Sequence, residues 1–313
     1  MNHNHGDDRP CDVTRLGAVV VTYRPGDEVG SNILRIAAQV NHVCVVDNSE
    51  RPYDWGGLDG KNITVISNAA NLGIACALNQ GVSMLFEHNI DDVLLFDQDS
   101  VIPDGFAEGM CRFRNRLSHV GASICAPNFV DVNSNTQAWF AQLGRWRYRS
   151  VWCEGEGKPP LRVNFAITSG TLFGREVWER LGRFRDDYFI DHVDSEYCLR
   201  AARSGIPVII NCGLLLQHAI GNRTVRKLLG VTIKPNNHSP LRRYYITRNG
   251  IRVMLEYGVS YPSFVFLSLA RLVHETLAVM FFESERRAKL RAILRGVVDG
   301  LRGRMGPADT SAW

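Results

Sequence analysis

Apolar residues in the first hundred positions fall by turns into unbroken runs and into helical spacing. The run from Leu16 to Val21 (LGAVVV) is short, rich in β-branched residues and closed by Thr22-Tyr23-Arg24-Pro25-Gly26. Such a run predicts a strand buried on both faces that feeds a loop. In SNILRIAAQV, Ile33, Ile36, Ala37 and Val40 recur at helical spacing. HVCVVDNSE and NITVIS read as two further buried strands, ending at Asp47-Asn48-Ser49 and at Asn68. From Leu72 to His88 the helical period returns through Ile74, Ala77, Leu78, Val82 and Leu85, and DVLLFDQDS is the next strand. Strand, helix, strand, strand, helix, strand with short connections predicts an α/β fold, an open and mostly parallel sheet with helices on both faces.

The second half is less regular. Residues 121 to 165 hold aromatic, strand-like pieces (AWFAQLGRWRYRSVW) that predict a mixed extension of the sheet. ITSGTLFGREVWERLGRF reads as strand, turn and helix. DDYFIDHVDSEYCLRAARSG reads as a loop running into a helix closed by Gly205, and PVIINCGLLLQHAIGN as a strand followed by a polar loop. From Pro240 onward the pattern is almost wholly helical. The chain thus divides into a polar, disordered lead-in over 1–15, an α/β domain over 16–235 and a helical region over 236–313. The lead-in lacks the apolar core of a secretory signal.

Ser263 to Phe282 (SFVFLSLARLVHETLAVMFF) is apolar but interrupted by Arg271, His274 and Glu275. Ionisable groups at mid-segment make a membrane span expensive. The stretch is expected as a helix packed on the domain or lying on a bilayer surface, and the basic run ESERRAKLRAILRG behind it suits anionic headgroups.

A net charge of +4 over 313 residues is mild and does not predict a nucleic-acid binder. The eight cysteines form no CxxC and sit singly in apolar runs. They read as buried thiols of a reducing, cytoplasmic compartment, and not as a zinc site or a disulfide framework.

In open α/β sheets, ligands sit beyond the carboxyl ends of the strands. The residues gathered there are Thr22, Tyr23, Arg24, Asp47, Asn48, Asn68, Asn71, Asp97 and Asp99. Asp97 and Asp99 project from one side of an extended chain roughly 6–7 Å apart. One can reach a divalent ion such as Mg²⁺ on a diphosphate while the other holds ribose. Asp191-His192-Val193-Asp194-Ser195-Glu196 is a second acidic cluster. The helix dipole alone favours acids in a first turn. The run Tyr188-Phe189-Ile190 ahead of it sets a carboxylate against an apolar wall, which raises its pKa towards a general base's range. His218, at a strand end before a Gly-containing loop, could be a third metal ligand. In PLRRYYITRN, arginine forks and phenols at Arg242, Arg243, Tyr244, Tyr245 and Arg248 suit a diphosphate, though the paired tyrosines argue for burial.

Taken in order, VVVTYRP, VVDNSE, NAANLGIACALNQGV, LLFDQDSVIP, ITSGTLF, YFIDHVDSEYCLRA, LQHAIGN and RRYYITRN resemble the inverting family-two glycosyltransferases of GT-A fold. The likeness is specifically to the bacterial rhamnosyltransferases that build O-antigen and related polysaccharides, and it covers about 16–305. It implies metal-dependent, inverting transfer of L-rhamnose from dTDP-β-L-rhamnose to a lipid-linked glycan, with Mg²⁺ or Mn²⁺ as cofactor. It further implies donor contacts at Thr22 and Tyr23, with Arg24 and Asn71 beside them. By the same likeness Asp47 reads the base edge, Asp97 handles ribose and diphosphate, and Asp99 and His218 hold the metal. Arg243, Tyr244 and Arg248 would contact the diphosphate, and Ser169-Gly170 the acceptor. Asp194 matches the catalytic base. Val193 stands where the wider family has Glu, which leaves Asp191 and Glu196 as other acceptor-side candidates for that role. Three alternatives remain open: a same-fold transferase using a UDP-sugar (galactofuranose, glucose or GlcNAc), a nucleotidyltransferase, and a non-catalytic, lipid-bound assembly partner. TYRPGDE is a poor version of the nucleotidyltransferase signature loop, and the intact acidic motifs weigh against the third.

Overall fold

The apolar runs form strands and the periodic segments helices in a computed structural model that describes residues 15–58, 62–131, 136–153, 159–218, 226–228, 231–233 and 236–309. For 131, 136–137, 218, 226–228 and 231–233 the backbone alone is described. The lead-in expected over 1–15 lies outside these residues except for Arg15. In chain order the first elements are β1 (Leu16–Thr22), α1 (Val29–Ala37), β2 (His42–Asp47), β3 (Ile63–Ser67), α2 (Ile74–Glu87), β4 (Asp92–Asp97) and α3 (Phe106–Arg116). There follow β5 (Ile124–Asp131), β6 (Thr136–Gln137), β7 (Phe140–Leu143), β8 (Tyr148–Val151), β9 (Leu161–Val163), β10 (Leu172–Gly174), α4 (Arg175–Leu181), α5 (Val193–Arg203) and β11 (Val208–His218). The short ribbon β12 (Arg226–Leu228) and β13 (Val231–Ile233) precedes three helices, α6 (Pro240–Tyr257), α7 (Pro262–Phe282) and α8 (Arg286–Arg302).

The main sheet has the order β3-β2-β1-β4-β10-β5-β11-β9, with β6 beside β5. β3, β2, β1 and β4 are parallel. β10 runs antiparallel between β4 and β5, β11 is parallel to β5, and β9 closes the edge antiparallel. β1, β2 and β4 are buried along nearly their whole length. Strands covered on both faces need continuous apolar runs, which is why the sequence marks them so clearly. The strand order reverses at β1, which has β2 on one side and β4 on the other, so a crevice opens at its carboxyl end. Pairing of Thr22 with Asp47 and of Val21 with Asp97 brings those ends to one rim.

Helix α6 begins with Ser239 accepting the Arg242 amide at 3.3 Å and Pro240 in the first turn. Its Ile251, Val253, Met254 and Tyr257, with Phe264 of α7, belong to the same buried cluster as the sheet. The C-terminal helices are therefore built onto the core that carries the crevice.

Two cysteines depart from the expectation of isolated thiols. Cys153 and Cys212, separated by 59 residues, are joined by a disulfide with their Cα atoms 5.2 Å apart. No spacing rule links such distant positions; only the tertiary fold brings them together. In a reducing compartment the pair would stand as two thiols at the same place. Cys44, Cys111, Cys125 and Cys198 are buried thiols outside the disulfide, as expected. Burial pushes the thiols of Cys44, Cys125 and Cys198 up to about 12, which leaves them inert.

Candidate active site

The crevice at the ends of β1, β2 and β4 is tied together by side chains before any ligand enters it. Gln98, just past β4, accepts the backbone N–H of Tyr23 at 2.8 Å and so bridges the two central strands. Asp47 is fully buried and accepts from the Ser49 hydroxyl at 2.6 Å, the Ser49 amide at 3.0 Å, the Tyr53 amide at 3.1 Å and the Thr22 hydroxyl at 3.3 Å. Burial pushes its carboxyl up, but hydrogen bonds from Ser49 and Tyr53 outweigh that and hold it below the ordinary carboxylate range. Through these bonds the Asp47 oxygens shape the loop after β2. Tyr23 and Arg24 stay exposed and both reach Glu50, at 3.0 and 3.2 Å. Asn71 is exposed, and its side-chain oxygen accepts the Gly73 amide at 3.0 Å. Asp97 is half-buried and Asp99 exposed. Among the described residues no group of three His, Cys, Asp or Glu side chains is gathered for a metal. The His218 side chain lies outside the described ones.

The acidic motif sits on a strained loop. Phe189, Asp191 and His192 all have positive φ, at 64°, 62° and 60°. Each such non-glycine residue costs on the order of 1–3 kcal/mol and persists only where its surroundings enforce it. The enforcement is visible on two sides. The Asn249 side-chain amide donates to the carbonyls of Tyr188, Ile190 and Asp191 at 2.9, 2.8 and 2.9 Å. Arg248 donates to the carbonyls of Asp187 and Tyr188, both at 3.2 Å. From the opposite side the Ile74 amide, at the start of α2, donates to the Phe189 carbonyl at 2.7 Å. Gly73 has φ 86°, and a Cβ there would stand 2.6 Å from that same carbonyl, so only glycine permits the contact.

Arg243, Tyr244 and Arg248, expected at the diphosphate, each have partners inside the protein. Arg248 is fully buried and clamps the acid loop. Tyr244 donates its hydroxyl to Asp299 of α8 at 3.0 Å. Arg243, also buried, bonds Glu275 at 2.8 Å and Glu283. A guanidinium already desolvated and paired inside the protein does not lie open to a diphosphate. Glu196 is likewise buried, accepting from the Tyr257 hydroxyl at 2.7 Å and Arg200 at 2.8 Å. Ser169 is fully buried with its hydroxyl 2.5 Å from that of Ser100. Gly170, at φ 79°, lies against Pro127. The Ser169 contact ties this segment to Ser100, in the turn after Asp99. Asp191 pairs with Arg242 at 3.2 Å.

Asp194, in the first turn of α5, opens onto a cavity of about 270 Å³ between the sheet extension and α6 and α7. Phe129, Trp139, Phe140, Phe165, Ile246 and Phe264 make much of its wall apolar. On its other side Asp194 borders a small void shared with Leu95 of β4. Burial raises the Asp194 carboxyl above its ordinary value and the Asp191 charge adds to the rise, against hydrogen bonds from the Ser195 amide at 2.6 Å and hydroxyl at 3.3 Å. His192, absent from the residues expected in the site, lines the same cavity. Burial, with Arg271 nearby, pushes its imidazole down to about 4, so it is neutral at neutral pH. Its Nδ1 is buried with no hydrogen-bond partner among the described residues. Arg271 and Glu275 of α7, paired at 2.9 Å, complete the polar part of the wall. His192 was visible within the motif, but nothing in sequence shows that its neighbours turn it into a cavity.

No family model matches the chain. Over 295 residues it is 31% identical to the dTDP-rhamnosyl transferase RfbF of Shigella flexneri, a match that spans 94% of this chain and 97% of that protein. Among solved structures it superposes on GalNAc-T7, determined with UDP, GalNAc and Mn²⁺, with a TM-score of 0.54 at 11% identity. That superposition covers 76% of this chain but only 47% of the other, and it is a likeness of fold.

Proposed function

The chain belongs to the glycosyltransferase family of the dTDP-rhamnosyl transferases, and we propose that it moves L-rhamnose from dTDP-β-L-rhamnose onto a hydroxyl of a lipid-linked glycan. The work would be done at the cytoplasmic face of a membrane, in the assembly of O-antigen or a related polysaccharide. The observation that carries the mechanism is Asp194, a half-buried carboxylate with a raised pKa on the wall of an apolar cavity.

The acceptor enters that cavity with its hydroxyl towards Asp194. As the hydroxyl oxygen bonds to the anomeric carbon, its proton passes to Asp194 and the bond from that carbon to the diphosphate breaks, releasing dTDP with inversion. The raised pKa makes Asp194 a better proton acceptor than an exposed Asp. The neutral His192 supplies a hydrogen bond to orient the acceptor. On the donor side, Thr22, Tyr23, Arg24, Asn71 and Asp97 frame the crevice, with Asp47 setting the loop beside it. Asp97 and Asp99 would offer carboxylate oxygens there to Mg²⁺ or Mn²⁺, hard cations that take oxygen ligands. Such an ion neutralises charge on the departing diphosphate.

Thermal stabilisation by dTDP, UDP, GDP and their sugars, each with and without Mg²⁺ or Mn²⁺, tests the donor assignment. A ligand that binds only the folded protein raises Tm with its concentration. A metal-dependent rise with dTDP and dTDP-rhamnose is expected. A preference for UDP keeps the chemistry and discards rhamnose; no rise with any nucleotide overturns the reading.

A further inference from the structure

Helix α7 has two faces that do different things. Phe264, Leu267, Ser268, Arg271, Leu272 and Glu275 line the cavity beside Asp194. On the opposite side Phe266, Leu269, Val273, Leu277, Met280 and Phe281 are between 43% and 60% exposed. At 100° per residue these six fall within a sector of about 120°, and Ala270 lies inside it. Monomeric proteins scatter their exposed apolar side chains; a continuous stripe of large ones marks a surface that is covered in use. From Phe266 to Phe281 the stripe runs about 23 Å along α7.

The chemistry next to the stripe selects what covers it. Arg286, Arg287 and Arg291 of α8 are exposed, against a single exposed acid in the same turns, Glu285. Arg286 donates to the carbonyl of Phe281 at 3.4 Å, which fixes this positive charge at the end of the stripe. Apolar side chains in a row beside a cluster of arginines match an anionic lipid surface, where the first enter the acyl boundary and the second meet phosphates. α7 is apolar and long enough to cross a bilayer. Its other face, however, is held by the buried pairing of Glu275 with Arg243 at 2.8 Å, so it packs as a surface helix.

We propose that α7 and the start of α8 dock the protein on an anionic bilayer, with α7 lying in the plane of the interface. The cavity then sits one helix thickness above the lipid, about 10 Å. A lipid-linked acceptor keeps its chain in the bilayer while its sugar reaches Asp194. That last consequence rests on the proposed activity; the docking itself does not.

The test is co-sedimentation of the full chain with phosphatidylcholine vesicles, with or without phosphatidylglycerol, in the absence of donor and acceptor. Binding is expected only with the anionic lipid. It should fall about tenfold in the double variant Val273→Glu/Leu277→Glu and again in Arg286→Gln/Arg287→Gln/Arg291→Gln. Both sets replace exposed side chains, and thermal melting checks that the fold survives. As an independent readout, Val273→Trp should gain fluorescence quenching from brominated lipid over the unsubstituted protein. Absence of binding, or binding unchanged by Val273→Glu/Leu277→Glu, overturns the proposal. So does a dimer in light scattering that the same substitutions dissociate, because the stripe would then be covered by a second copy. Vesicle binding with no response to nucleotides would leave the docking standing and remove the transfer reaction.

Discussion

At the scale of single residues, Asp194 takes its raised pKa first from the burial around it. Asp194 stands in a motif whose aromatic lead-in already implied a raised pKa. Positive φ at Phe189, Asp191 and His192 has no sequence signature, because none of the three is glycine. The cavity face of His192 was hidden for the same reason. The raised pKa of Asp194 has a consequence for stability whose sign is fixed. The unfolded chain releases this proton at lower pH than the folded one, so above the ordinary Asp range ionisation favours unfolding. Asp194→Asn removes that penalty, and its Tm should exceed that of the unsubstituted protein at neutral pH and converge with it in acid. The acid limb of kcat/KM should likewise lie above the ordinary Asp range, as a pH–rate profile would show. Gly73→Ala meets both a forbidden φ and the Phe189 carbonyl. It should cost at least about 1–3 kcal/mol in urea unfolding, and lower turnover by displacing the acid loop.

Among elements, strands and helices of the first half were readable because each buries a single periodic pattern. The reading of α6 rests on groups that have two uses. A run of Arg and Tyr suits a diphosphate, but the same groups serve as long-reach donors inside a protein, and only partners distinguish the two uses. Arg248 and Asn249 hold the acid loop, while Arg243 enters a buried network with Glu275, Glu283 and Lys289 that joins α6, α7 and α8. Lys289 reaches Glu283 at 2.9 Å, and both are almost wholly buried. Glu283→Gln leaves Arg243 and Lys289 short of an opposing charge and should destabilise by about 3–5 kcal/mol in chemical denaturation. Asn249→Ala separates the two accounts of α6. As a clamp its loss lowers kcat and leaves dTDP affinity unchanged in calorimetry; a large loss of dTDP affinity would return this segment to the donor site.

For the whole molecule, the parallel half of the sheet and the crevice at its strand ends follow from the alternation of buried runs and amphipathic segments. The mixed half, the Cys153–Cys212 bond and the cavity under α7 depend on contacts between distant segments, which no local pattern encodes. The resulting arrangement sets a crevice at the strand ends on one part of the sheet and an apolar cavity with one raised carboxylate at its extension. The most direct test of this account is the turnover of dTDP-β-L-rhamnose by Asp194→Asn beside the unsubstituted enzyme, with the dTDP-induced rise in Tm recorded on the same samples. A fall in turnover of about 10²–10⁴ with the rise in Tm retained is the predicted result. Turnover at the unsubstituted rate would contradict it and move the proton transfer to another group.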